Sequence, residues 1–288
     1  MLRQTGRLGR AVLAIVWLGL LLASGMQARA GDPFFFIQLS DPQFGMFAQN
    51  ADSRQETANF EFAIATANRL QPAFVIVTGD LVNRSGDKDQ TAEYLRIAAK
   101  LDRSIPLYNV PGNHDLGNDP TPATIAAYTA LFGPEHYSFR IGAMKGIVLN
   151  SCLIQSPKGE SNWGKEQDDW LKDELEKARQ ERESVILFQH HPWFVENIDE
   201  PDGYHNLPVA QRRRYFDLFQ QYGVTHVFAG HYHANKTAKY GDVEMVTTGA
   251  VGKPLRKDVS GMRIVIVRDT AVEHRFYHLG EIPNQIDL

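Results

Sequence analysis

Cysteine is nearly missing from this chain: a single residue, Cys152, in 288. That excludes an internal disulfide and any cysteine-rich zinc site, and leaves Cys152 as a small buried hydrophobe. No apolar run reaches the roughly 20 residues that a membrane helix needs. Repeats, low-complexity tracts and long Pro/Gly/Ser linkers are also absent. Positive charge is not in excess, with a formal net charge of −4. A nucleic acid or anionic membrane held by bulk electrostatics is therefore not expected. At 43% hydrophobic and 22% charged residues, the chain is not collagen-like, coiled-coil or disordered. With no linker to divide it, one domain over residues 31–288 is the expected organisation.

The first thirty residues read as an address. Arg3, Arg7 and Arg10 precede the apolar stretch from Ala11 to Ala23, and Ala28-Arg29-Ala30 follows. A basic region, a short apolar core and an A-x-A site are the pattern of a secretory signal peptide. Its removal takes four arginines and no acid. Lys+Arg then falls from 30 to 26 against 34 acids, a formal charge of −8. A secreted or periplasmic protein, with no stable membrane span after cleavage, is the expectation.

Short apolar runs then alternate with amphipathic segments. Phe34 to Leu39 predicts a strand. Ser53 and Glu56 form a capping-box pattern before a helix to about Leu70, with Phe60, Ala63, Ile64 and Ala67 on one face. Ala73 to Thr78 and Leu107 to Val110 predict buried strands around a helix near 89–101, and another helix is expected around 123–132. Tyr137 to Arg140 and Gly146 to Leu149 suggest a hairpin pair. Helices are expected over about 166–182 and 209–222, and strands over Val185–Phe188 and Val224–Phe228. The strand-rich stretch from Val243 to His278 suggests a second sheet. Buried strands separated by helices point to an α/β fold.

Five strands end in a short loop bearing Asp, Asn or His: Asp41, Asp80, Asn113 with His114, His190, and His231 with His233. Ligand sites of α/β sheets lie at the carboxyl ends of strands, so these side chains can converge. Two carboxylates, an amide oxygen and at least three imidazoles suit Mn, Fe, Zn or Co rather than copper(I) or an iron–sulfur cluster. The set is too large for one tetrahedral ion and about right for two. A metal pair clamps a phosphoryl group and generates a hydroxide nucleophile. His114 is then available to protonate a leaving oxygen, with the adjacent Asp115 placed to orient it.

Asp41-Pro42-Gln43, Gly79-Asp80, Gly112-Asn113-His114-Asp115, His190 and Gly230-His231-Tyr232-His233 together resemble the ordered motifs of the calcineurin-like metallophosphoesterases. Within that superfamily the chain resembles a subgroup that carries Asp-Pro-Gln in the first motif, some of whose members are described as serine/threonine phosphatases. The resemblance implies a four-layer α/β/β/α sandwich with two mixed sheets and a dinuclear site at one edge. It implies Asp41 and His233 on the first metal, Asp80 as the bridge, Asn113, His190 and His231 on the second, and His114 as the acid. Gln43 stands where the family usually has histidine, a weaker donor toward Zn or Fe. Asn83 stands where purple acid phosphatases carry their tyrosine, so that chromophore is not expected. A phosphate monoesterase acting on a small phosphorylated substrate or a phosphoprotein is the leading expectation. A diesterase for cyclic nucleotides or lipid-linked diesters shares the same clamp. A decayed metal-binding scaffold is the alternative of another class.

Other candidates have blander readings. His191 is expected to point away from its neighbour's site. His136, His205, His226, His274 and His278 read as surface or core histidines, with His205 in a loop that could line the pocket. Residues 192–207, with Trp193, Phe194 and Tyr204, fit a pocket-shaping loop and an ordinary surface loop equally. Arg212-Arg213-Arg214 reads as the solvated side of a helix.

Overall fold

The computed structural model describes residues 31–156, 162–269 and 271–288. The expected signal segment, residues 1–30, lies outside them. Among the described residues no helix is long and apolar enough to cross a membrane.

The chain runs β1 (Phe34–Leu39), α1 (Arg54–Leu70), β2 (Val75–Thr78), α2 (Lys88–Ala98), β3 (Leu107–Val110), α3 (Asn113–Leu116), α4 (Pro122–Phe132), β4 (Tyr137–Ile141) and β5 (Met144–Val148). It continues through α5 (Ser151–Gln155), α6 (Asn162–Glu181), β6 (Ser184–Phe188), α7 (Val209–Gln221), β7 (Val224–Ala229), β8 (Lys236–Tyr240), β9 (Val243–Thr247), β10 (Gly261–Arg268) and β11 (Ala271–His278). Two mixed sheets result, ordered β11-β10-β1-β2-β3 and β4-β5-β6-β7-β9-β8. The expected late sheet is thus divided: β8 and β9 extend the second sheet, while β10 pairs antiparallel with β1 in the first.

Alternation along the strands builds the layers. One set of side chains, including Phe36, Phe74, Ile76, Phe188, Phe228 and Val265, fills the space between the sheets. Phe36 stacks on Phe74 at 4.5 Å and meets Phe188 and Phe228 edge-on at 5.6 and 5.7 Å. Truncating such a side chain to alanine costs about 3–5 kcal/mol. The opposite faces carry helices. Phe60, Ala63, Ile64 and Ala67 of α1 join the core outside the first sheet, and α6 and α7 cover the second. The α/β/β/α sandwich is therefore present.

Local chemistry departs from expectation at two places. Ser53 makes no side-chain cap; Glu56 is buried and accepts instead from the Phe47 N–H at 2.6 Å. Arg212 is not on a solvated face but fully buried. Its guanidinium donates to the carbonyls of Leu207, Ile198 and Glu200 and so ties the 192–208 loop to α7. Arg213 and Arg214 are the solvent-facing pair, each with an aspartate partner.

Candidate metal centre

β1, β2 and β3 run parallel, as do β5, β6, β7 and β9. Their carboxyl ends meet at one edge of the sandwich. Backbone bonds lock the two sheets' loops there: Asp41 N to Gly79 O at 3.2 Å, Gly230 N to His190 O at 2.9 Å and Val251 N to Ser40 O at 2.8 Å.

Asp41, Gln43, Asp80, His231 and His233 all have left-handed backbone, with φ of 48, 40, 51, 64 and 54°. Each such residue costs about 1–3 kcal/mol unless its surroundings over-determine it, and such residues cluster at functional sites. Here the strain turns side chains at the strand ends inward. Two motif glycines make the approach possible. A Cβ on Gly230 would lie 1.8 Å from Ser40 Oγ and 2.6 Å from Asp41 Oδ2, and one on Gly112 would lie 2.2 Å from Asp80 Oδ1. Any side chain there would displace a carboxylate. Asn113, by contrast, does not occupy a left-handed turn; it opens α3.

All seven expected donors gather at this edge, each at most 8% exposed. His190 Nε2 lies 3.1 Å from Asn113 Oδ1, 3.1 Å from His231 Nδ1 and 3.3 Å from Asp80 Oδ2. His233 Nε2 lies 3.3 Å from Asp41 Oδ1. The far nitrogens are equally informative. His190 Nδ1 meets Thr78 O at 2.9 Å, His231 Nε2 meets Tyr204 O at 3.0 Å, His233 Nδ1 meets Lys253 O at 2.6 Å and His114 Nδ1 meets Asn83 O at 2.7 Å. A carbonyl only accepts, so each of these nitrogens carries the proton and the other nitrogen of a neutral ring is left as a lone pair. Such backbone partners are the usual second support of metal-binding imidazoles.

The charges of the site agree. Burial alone would raise Asp41, yet His233 and His190 hold it below the usual carboxylate range. Burial alone would lower His190, yet Asp80 and Asp41 bring it up to about 9. Burial and His190 push His231 down to about 4. The two carboxylates thus favour positive charge at His190, and the inward nitrogens of the imidazoles converge on the same place. Gln43 Oε1 is buried and accepts no hydrogen bond among the described residues, the arrangement of an oxygen waiting for a cation. The donor set fits divalent metal. Asp41, Asp80 and His190 form one compact group, and His190, His191 and His231 another.

Two neighbours differ from expectation, and a third takes a role the motifs did not announce. Asp115 does not orient His114. Its Oδ1 accepts from the Leu81 and Val82 N–H groups at 2.9 and 3.3 Å and its Oδ2 from Gly112 at 2.8 Å, clamping the Asp80 loop to α3. Burial and the Asp80 carboxylate push its pKa up to about 8, against those N–H donors. Asn83 does the orienting of His114, through a backbone carbonyl that side-chain motifs do not reveal. His191 does not turn away: its ring lies 4.4 Å from that of His231, its Nδ1 2.9 Å from Ser151 Oγ, and burial lowers its pKa strongly.

The 192–207 loop divides its labour. Trp193 and Phe194 are fully buried in the core. Tyr204 is 65% exposed, and its hydroxyl accepts from Asn113 Nδ2 at 3.0 Å. His205 stands at the rim against the Tyr232 ring.

Comparison with known proteins agrees with this geometry. Residues 36–235 match the family described as calcineurin-like phosphoesterase. The chain is 37% identical over 267 residues to the human serine/threonine-protein phosphatase CPPED1, covering 87% of this chain and 85% of that one. It is 34% identical over 277 residues to the zebrafish protein of the same name, with 91% and 90% coverage. A dimetal phosphatase from Danio rerio shares the fold at 15% identity, with a TM-score of 0.61 over 85% of this chain and all of that one. Sequence, fold and donor set lead to one conclusion: the chain belongs to the calcineurin-like phosphoesterase family and is a metal-dependent phosphoesterase.

Proposed function

We propose that this phosphoesterase is a dinuclear phosphate monoesterase. Asp41, Gln43 and His233 would hold one divalent ion and Asn113, His190 and His231 the other, with Asp80 serving both. Mn, Fe and Zn all suit these donors. The observation that carries the reading is the set of ring nitrogens capped by backbone carbonyls, which leaves lone pairs and carboxylates facing a common centre.

When bound, the ions supply a water-derived nucleophile and neutralise charge on the phosphoryl oxygens. The chain does the rest. The Asn113 amide donates from Nδ2 to the Tyr204 hydroxyl, which leaves its oxygen facing the centre, 3.1 Å from His190 Nε2. His114 is only half-buried, so its Nε2 can reach a leaving oxygen while Asn83 O retains the Nδ1 proton. Its backbone N–H holds Asp80 Oδ1 at 2.9 Å, linking the proton donor to the shared carboxylate. Asp115 fixes the relative position of those two loops.

The relatives are named serine/threonine-protein phosphatases, which supports a phosphoserine or phosphothreonine ester as substrate. The test is a matched assay of the Mn-loaded protein on a phosphoserine peptide, p-nitrophenyl phosphate and bis-p-nitrophenyl phosphate. The two monoesters should be cleaved faster than the diester; the reverse order would make the protein a diesterase.

The basic-apolar-AxA segment over residues 1–30 supports export to the periplasm or beyond. N-terminal sequencing of the protein recovered outside the cytoplasm should begin near residue 31. Recovery of the intact N-terminus in the cytosol would refute export.

A further inference from the structure

Arg263 on β10 is a guanidinium buried between the sheets, and its hydrogen bonds run to neutral groups. Nε donates to Thr248 Oγ1 at 2.7 Å, one terminal nitrogen to His274 Nδ1 at 2.9 Å and the other to Asn235 Oδ1 at 2.7 Å. Two of these branches end on nearby carboxylates, His274 on Glu244 Oε1 and Asn235 on Asp258 Oδ2 at 3.1 Å each; the third, through Thr248, takes a longer path.

That path leads to the metal centre. The Thr248 hydroxyl donates to Gln38 Oε1 at 2.7 Å, and Gln38 Nε2 donates to Thr78 Oγ1 at 3.0 Å. The Thr78 hydroxyl donates to Ser40 Oγ at 3.0 Å, and Ser40 donates to Asp41 Oδ2 at 2.5 Å. Five bonds thus run in one sense from a cation to a carboxylate. The ends fix the direction of the outer bonds, since a guanidinium only donates and a carboxylate only accepts; the single Thr78 hydroxyl proton has Ser40 Oγ at 3.0 Å and the Leu39 carbonyl at 3.2 Å as acceptors. Gln38 cannot flip, because its Nε2 also donates to Ala229 O at 3.2 Å. Every group in the series is at most 4% exposed, so water does not compete. Hydrogen bonds aligned this way polarise one another in a low dielectric.

We propose that Arg263 is a positioning residue for Asp41, acting through Thr248, Gln38, Thr78 and Ser40. The series pins Asp41 Oδ2, which also takes the His231 backbone N–H at 3.0 Å. Oδ1 is thereby turned toward His233 Nε2. The proposal rests on the reading of Asp41 as a metal ligand.

The test is titration of the metal-free full-length chain with Mn2+, the free ion read by its EPR signal and folding followed by circular dichroism. Thr248→Val cuts the series while keeping side-chain volume. It should weaken one of the two ions by about 10- to 100-fold, the range for lost second-layer support, and leave the other unchanged. Thr248→Ser should restore wild-type binding, and Arg263→Met should reproduce the loss. If Thr248→Val does not fold, Gln38→Met cuts the next bond with similar volume. A folded cut variant that binds both ions as the wild type does overturns the proposal. Asp41→Asn separates the two levels. If it keeps both ions, the ligand assignment fails; if it loses one ion while Thr248→Val keeps both, only the positioning role fails.

Discussion

Two clusters of histidine and carboxylate lie between or beside these sheets, and they are chemically opposite. One is the centre around Asp41, Asp80, His190, His231 and His233. The other joins His226, Glu244 and His274, whose ligand-type atoms lie within 4.8 Å of one another. By composition and proximity both qualify as metal sites. The difference lies in what occupies the outer nitrogens. At the centre, backbone carbonyls take the ring protons and leave lone pairs directed inward. In the second cluster Arg263 donates to His274 Nδ1, so His274 Nε2 carries the proton and gives it to Glu244 Oε1 at 3.1 Å. Lys239 Nζ stands 3.1 Å from the other Glu244 oxygen. Among the described residues the carboxylates of the first cluster have only histidines as ion-pair partners, whereas the second has Lys239 and Arg263 built into it. A histidine's partner on its far side decides whether it can be a ligand.

Substitutions can break this contrast, and the largest effect is expected at Asp80. Asp80→Asn should remove bound metal and nearly all turnover, which metal analysis and a phosphatase assay would read together; an active variant with two tightly held ions would end its role as the shared ligand. His114→Asn should lower kcat by about 10²- to 10⁴-fold, the usual worth of a general acid, with both ions retained. Loss of metal in that variant would make His114 a ligand instead. Gln43→Leu removes a single neutral donor, so about a tenfold weaker affinity for one ion is expected from Mn2+ titration, within the range of one lost contact.

His226→Asn sharpens the comparison from the other side. Metal content and activity should stay at wild-type values, and ion loss would show that the second cluster binds metal after all. Its effect should appear in stability against pH. Burial pushes the His226 pKa down to about 4, below its ordinary 6.5, so the unfolded chain binds the extra proton first. Wild-type stability should therefore fall as pH drops from about 6.5 toward 4, by at most about 3 kcal/mol at 1.36 kcal/mol per pKa unit. Urea denaturation at several pH values should show a shallower fall for the variant.

The contrast also shows what could be read from sequence. Asp41, Asp80, Asn113, His190, His231 and His233 were visible because each lies in the short loop that ends a β-rich run, and strand ends are where such side chains meet. The inter-sheet layer was visible as continuous apolar runs. The support that Asn83 and Tyr204 give to His114 and His231 was not, because it comes from backbone carbonyls, which every residue has. Asp115 was misjudged because adjacency in sequence does not give side-chain direction in a helical turn; its carboxylate reaches back to the Asp80 loop. Arg212 sits in a run of three arginines, and only the loop carbonyls around it show which one is inside. The Arg263 series needed β1, β2, β10 and the end of β9 in place at once, so no local pattern announced it.

The decisive measurement is anomalous diffraction from crystals grown with Mn2+. Two peaks should appear at the strand-end edge, both within bonding distance of an Asp80 oxygen, with Gln43 Oε1 on the ion shared by Asp41 and His233. A single ion there, or a manganese ion held by His226, Glu244 and His274, would contradict this reading of the two clusters.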